Sequence, residues 1–206
     1  MKYIQSHKKL LLKIILYVMG IIMMPLGVVF TINSHMGAGG YDALNFILGE
    51  RIGVSSSYAI IGTAFIAMII SALIRKKIPR ITTFITAILV GITTQLWKGV
   101  LSNTRSASLF LSITFLFIGI TIIGFGIASY MLSELPTNPT DDIIVACKER
   151  GLPIRNVKIG MDIICVLLAL ILGGEIGIGT IFITICLGPM VSFFYDFIKK
   201  KTNDCT

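Results

Sequence analysis

GAGGYDALNFILGER, Gly37 to Arg51, interrupts a chain that is otherwise close to continuous apolar text. Gly37, Gly39 and Gly40 stand ahead of an acid, Asp42, and a short apolar run follows. As helix, residues 41–50 extend roughly 12 to 15 Å, against a hydrocarbon core of roughly 30 Å. A segment that short cannot cross a bilayer. It lies flat in the interface, or it is re-entrant, dipping in and returning against other helices. Ala43, Leu44, Phe46, Ile47 and Leu48 cover most of the helical circumference and leave no broad polar face, which favours the re-entrant form.

The text around this segment sets its context. Hydrophobic residues make up 55% of the 206, charged residues 14%, and the mean hydropathy is +0.90. A soluble domain carries roughly a quarter charged residues, so the chain reads as an all-α integral membrane protein. Apolar runs fall at residues 12–33, 57–74, 81–98, 107–132, 158–173 and 176–198. Six spans of roughly 20 residues fit the length with short loops and leave no room for a separate soluble domain, so the chain reads as one membrane domain over 1–206. The N-terminal run is too long for a signal peptide and lacks a cleavage site, and it reads as a retained first span.

The basic residues give an orientation. Fifteen of the 18 lysines and arginines fall on the side that holds both termini, and only Arg51, Lys98 and Arg105 on the other. A bias of that size predicts both termini in the cytoplasm of a multi-pass protein in the bacterial cytoplasmic membrane. The same clustering at span ends accounts for the formal charge of +8, which therefore does not point to nucleic acid.

The chain also repeats itself. At an offset of 99, Gly20 falls on Gly119, Gly27 on Gly126, Asp42 on Asp141, and Glu50-Arg51 on Glu149-Arg150. With one-residue gaps, Gly62 meets Gly160, Thr83 meets Thr180, and Gly91 meets Gly188. The expected unit is a span, a short interrupted helix and two spans, with repeat one at about 10–101 and repeat two at about 107–200. Three spans per unit invert the second copy relative to the first. Inverted repeats with a broken element in both halves point to a transporter-like site near the midplane.

Candidate site residues follow from that symmetry. Asn138 is placed to cap a second short helix at 140–149, Pro139 suits its first position, and Asp141 lies in its first turn, as Asp42 does in the first copy. The two acids either stabilise helix starts or form a site for a cation, a proton or a hydrogen-bonding solute. Asp162, inside the fifth span four residues past Lys158, is a further candidate, either at the interface or buried against Thr or Asn neighbours. Asn33 and Asn45 either line a polar cavity or bond across helices. Gly37, Gly39, Gly40, Pro139, Gly177, Gly179, Gly188 and Pro189 are the expected helix-break positions. Asp142, Glu175 and Asp196 read as interfacial. Ala59, Thr63, Ala67 and Ser71 form a small-residue packing stripe that Ala87 and Gly91 continue on the next span.

No cofactor, metal or catalytic set is expected. Cys147, Cys165, Cys186 and Cys205 lack ligand spacing and read as small hydrophobes, and neither histidine has a partner at ligand spacing.

GAGGYDAL, NPTDD and the run GIGTIFITICLGP from Gly177 to Pro189 resemble the YczE/YyaS/YitT group of bacterial integral membrane proteins. The resemblance covers nearly the whole chain. It implies a cytoplasmic-membrane protein with no settled substrate and offers no catalytic residues. The expected function is a small secondary transporter or permease for an unidentified small solute or ion. The alternative is a non-transport membrane partner or a substrate-binding subunit of a larger complex. Expected partners are the lipid bilayer, a small molecule or ion, and a homo-oligomer or accessory membrane complex.

Overall fold

The computed structural model describes residues 2–203 other than 38, 55, 105, 107 and 175. Eight helices follow in order: α1 (Lys2–Asn33), α2 (Gly40–Ile52), α3 (Ser56–Arg75), α4 (Thr83–Val100), α5 (Leu109–Leu132), α6 (Pro139–Glu149), α7 (Ile154–Ile171) and α8 (Ile178–Asn203). Each expected span and each short segment matches one helix, with ends shifted by a few residues and α1 extended toward the N-terminus. Five of them, α1, α3, α4, α5 and α8, are long and apolar enough to cross a membrane. The sixth expected span, α7, has the same 18 residues as α4 but carries Arg155, Lys158 and Asp162.

The core is built on α1 and α5, which run antiparallel with their backbones almost touching. A Cβ at Gly20 would stand 2.7 Å from the Gly126 carbonyl oxygen, and one at Gly27 would stand 2.7 Å from that of Gly119. Only glycine allows this approach, and it brings two apolar helices into close van der Waals contact. Ile120, Ile127, Ala128 and Tyr130 of α5 are buried in one cluster with Ile183, Leu187 and Val191 of α8.

The outer helices are arranged unevenly. On one flank α4 rests on α1 through the Tyr17 hydroxyl on Thr86 at 2.6 Å and the Trp97 indole N–H on the Ile22 carbonyl at 3.0 Å. On the other, α7 and α8 close on each other at Gly188, where a Cβ would stand 2.7 Å from Ile159 Cγ1 and 2.8 Å from the Arg155 carbonyl oxygen. By contrast α3 and α4, though consecutive, hardly touch. Gly62 and Gly91 have open space where a Cβ would point.

Several expectations are corrected here. Gly188 and Pro189 do not break a helix: α8 runs on through both, and Gly188 serves as a packing notch for α7. Gly91 does not extend the small-residue seam, because it is exposed. The stripe on α3 does hold, with Ala59, Ala67 and Ser71 all buried. Glu175, Arg105 and Cys205 lie outside the described residues.

The turns after α1 and α5 share one geometry. His35 and Glu134 both take positive φ, 54° and 58°. Before them, Ser34 and Ser133 each donate a hydroxyl to the carbonyl three residues back at 2.6 Å, and each accepts from the backbone N–H two residues on.

Candidate functional site

The site is centred on α7. Lys158 and Asp162 lie one helical turn apart, so their side chains share a face. The ammonium donates to Asp162 Oδ1 at 3.0 Å, with both side chains more than nine-tenths buried. The other carboxylate oxygen, Oδ2, is buried with no hydrogen-bond partner among the described residues. Asp162 is therefore not at an interface, and it pairs with the lysine rather than with Thr or Asn.

α2 begins against this pair. A Cβ at Gly40 would stand 2.7 Å from the Asp162 carbonyl oxygen, so a side chain there would push the helix start away. From that point α2 runs beside α7 to Arg51, whose Nε donates to the Leu172 carbonyl at 2.7 Å. Since Asp162 is near the middle of α7, α2 starts at depth in the bundle rather than lying flat across its end. Gly37 allows the entry. Its φ is 136°, and a Cβ there would stand 2.5 Å from Thr180 Oγ1. Gly179 N–H donates to the Met36 carbonyl at 2.9 Å, so Gly177 and Gly179 are close-approach positions that clasp this loop onto α8.

Asp42 sits in the first turn of α2, partly buried, and its carboxylate has no hydrogen bond among the described residues. Asn45 is committed elsewhere: its Nδ2 donates to the Tyr41 carbonyl at 2.8 Å, and its Oδ1 accepts from Thr63 of α3 at 2.7 Å. Asn33 likewise bonds the Leu101 carbonyl at 3.2 Å, tying the end of α1 to the end of α4. Asn45 therefore has both of its amide groups engaged within the protein.

In the second half, Pro139 starts α6 as expected. Asn138 stands at the cap position but makes no capping bond, and its Nδ2 reaches Thr140 Oγ1 at 3.4 Å instead. Asp141 is buried and accepts from the Tyr130 hydroxyl of α5. Asp142 is a correction: it is not interfacial but 1% exposed. Its Oδ1 accepts from Arg75 Nη2 at 2.8 Å, and Arg75 Nε reaches Glu149 at 2.9 Å. Sequence reasoning missed Arg75, because a basic residue at a span end was already explained by topology.

Of the three acids, Asp162 is the one that Lys158 contacts. The first half reaches α7 through the start of α2, where Gly40 stands against the Asp162 carbonyl, while Asp141 of the second half bonds Tyr130 of α5. Among the described residues, no three His, Cys, Asp or Glu side chains converge closely enough to hold a metal ion. A cavity of about 240 Å³ lies between α2, the end of α7 and the start of α8, lined by Gly37, Phe46, Glu50, Ala169, Gly177 and Thr180 among others, and none of Lys158, Asp162, Asp42 and Asp141 lines it.

Comparison with known proteins places this arrangement. Residues 11–196 match a family described as one of unknown function, DUF6198. The chain belongs to that family. It is similar to the uncharacterized protein YyaS of Bacillus subtilis, at 33% identity over 184 residues, covering 87% of this chain and 90% of the relative. It is also similar to the uncharacterized membrane protein YczE of the same organism, at 27% over 190 residues, covering 90% and 86%. An uncharacterized protein of Haemophilus influenzae is 27% identical over 162 residues, covering 75% and 72%. No solved structure matches. The resemblance to the YczE/YyaS group read from the motifs is thereby met, and this family member is a membrane protein with several helices of spanning length.

Proposed function

We propose that this protein is a small secondary transporter or permease with six spans in two inverted three-helix repeats, handling a small solute or ion at the charged centre. The observation that carries the reading is the buried Lys158–Asp162 pair with a free carboxylate oxygen, set where the short helix α2 begins. Ionisable groups at membrane depth are costly and are kept chiefly for function. Helix starts held at depth are the usual construction of transporter sites.

The glycine seam supports the duplication. Gly20 and Gly119 are equivalent in the repeat, as are Gly27 and Gly126, while in space Gly20 faces Gly126 and Gly27 faces Gly119. A two-fold axis between inverted copies produces that reciprocal pattern. The matched turns at His35 and Glu134 fit it as well. So does the exchange of short helices, with α2 packed on α7 and α6 on α3. In this reading α7 is the sixth span, its charges turned inward, and both termini are cytoplasmic, as the positive-inside bias requires. Asp42 and Asp141 act as couplers of a proton or cation, and no catalytic step is involved.

The test is reconstitution. The purified protein in liposomes, challenged with a panel of amino acids, sugars, amines and inorganic ions, is expected to move at least one of them. Asp42→Asn and Asp141→Asn are expected to abolish that movement with folded yield unchanged. A second reading, a non-transport partner or substrate-binding subunit, draws on the broad exposed face of α4, where Gly91 and Gly99 have open space. Silence in liposomes together with stoichiometric co-purification with another complex would favour it.

A further inference from the structure

The centre of the bundle holds more acid than base. Asp162 is paired with Lys158, while Arg75 is already engaged by Asp142 and Glu149. Asp141 has a donor of its own in Tyr130. Among the described residues, the carboxylate of Asp42 and Oδ2 of Asp162 have none. Asp42 stands at the start of α2, its Oδ2 3.5 Å from where a Cβ of Gly39 would stand. A charged oxygen in a low-dielectric interior is strongly disfavoured unless a donor or cation reaches it.

Resting on the transport reading of this same site, we propose that it seats one monovalent cation, an alkali ion or a small primary ammonium, on the free oxygen of Asp162, with Asp42 at the adjoining start of α2 as the second carboxylate. Lys158 sets the valence: its fixed charge cancels one carboxylate and opposes a doubly charged guest, in keeping with the lack of three convergent acids. The site is single, because the repeat equivalents of Lys158 and Asp162 are Ile60 and Ala64.

The test is thermal unfolding of the full-length protein in detergent at constant ionic strength. Choline chloride is replaced in turn by sodium, potassium and methylammonium chloride. At least one of the three is expected to raise the apparent Tm over choline by about 3 °C at saturation. A response to alkali ions alone assigns the inorganic source, and a response to methylammonium alone assigns the amine. The shift is expected to vanish in Asp162→Asn. Asp42→Asn, whose carboxylate holds no bond to lose, provides a second folded variant in which the shift is also expected to vanish. No shift with any cation in the wild type, or a shift that persists in folded Asp42→Asn or Asp162→Asn, overturns the proposal. Cation stabilisation without solute movement in liposomes sinks the transport reading and leaves the site. Solute movement without cation stabilisation does the reverse.

Discussion

At the residue scale, two buried ion pairs carry different burdens. Arg75 grips Asp142 with two nitrogens and reaches Glu149 with a third, a geometry that needs the guanidinium fork. Arg75→Met strands a buried carboxylate and is expected to cost about 3 to 5 kcal/mol, while Arg75→Met with Asp142→Leu recovers most of it. Thermal unfolding in detergent reads both. Lys158→Met is expected to behave alike, because it leaves Asp162 buried without the partner it has among the described residues. Asp42→Asn should change stability little, since its carboxylate makes no hydrogen bond. Part of this was legible beforehand. Asp162 showed as an acid in an apolar run, and the four-residue spacing to Lys158 puts both on one helix face. Arg75 and Asp142 are 67 positions apart, and nothing local joins them.

At the element scale, glycine decides which helices meet. Gly27→Ala places a methyl 2.7 Å from the Gly119 carbonyl and the Ile123 nitrogen, so backbone must give way. Overpacking of that kind costs about 1 to 3 kcal/mol. Gly91→Ala, facing open space, is expected to be neutral or mildly stabilising through helix propensity. Comparing the Tm of the two variants checks the asymmetry; equal losses would contradict the seam. The sequence displayed these glycines as landmarks of a repeat, yet not as partners. Partnership depends on the antiparallel register of α1 against α5, which hydropathy does not encode. Helix existence was legible because bilayer thickness fixes span length. The continuity of α8 through Pro189 was not, because surrounding helices hold a kinkable helix together.

At the scale of the whole molecule, the proposed inversion makes a sidedness prediction. Val54 and Leu152 are exposed just beyond α2 and α6. In a variant lacking the native cysteines, single cysteines at 54 and 152 are expected to react with an impermeant thiol reagent from opposite faces of the membrane. Labelling of both from one face would remove the inverted repeat.

The glycine seam also divides the molecule by stiffness. Backbones packed that closely leave little room for water or for a loosened intermediate, so α1 and α5 open only when much of the fold opens. The α3 and α4 flank, tethered through turns and few mutual contacts, has no such constraint. Amide exchange should therefore be slowest along residues 20–27 and 119–126 and fastest through 76–83, tracing a spine with a loose corner.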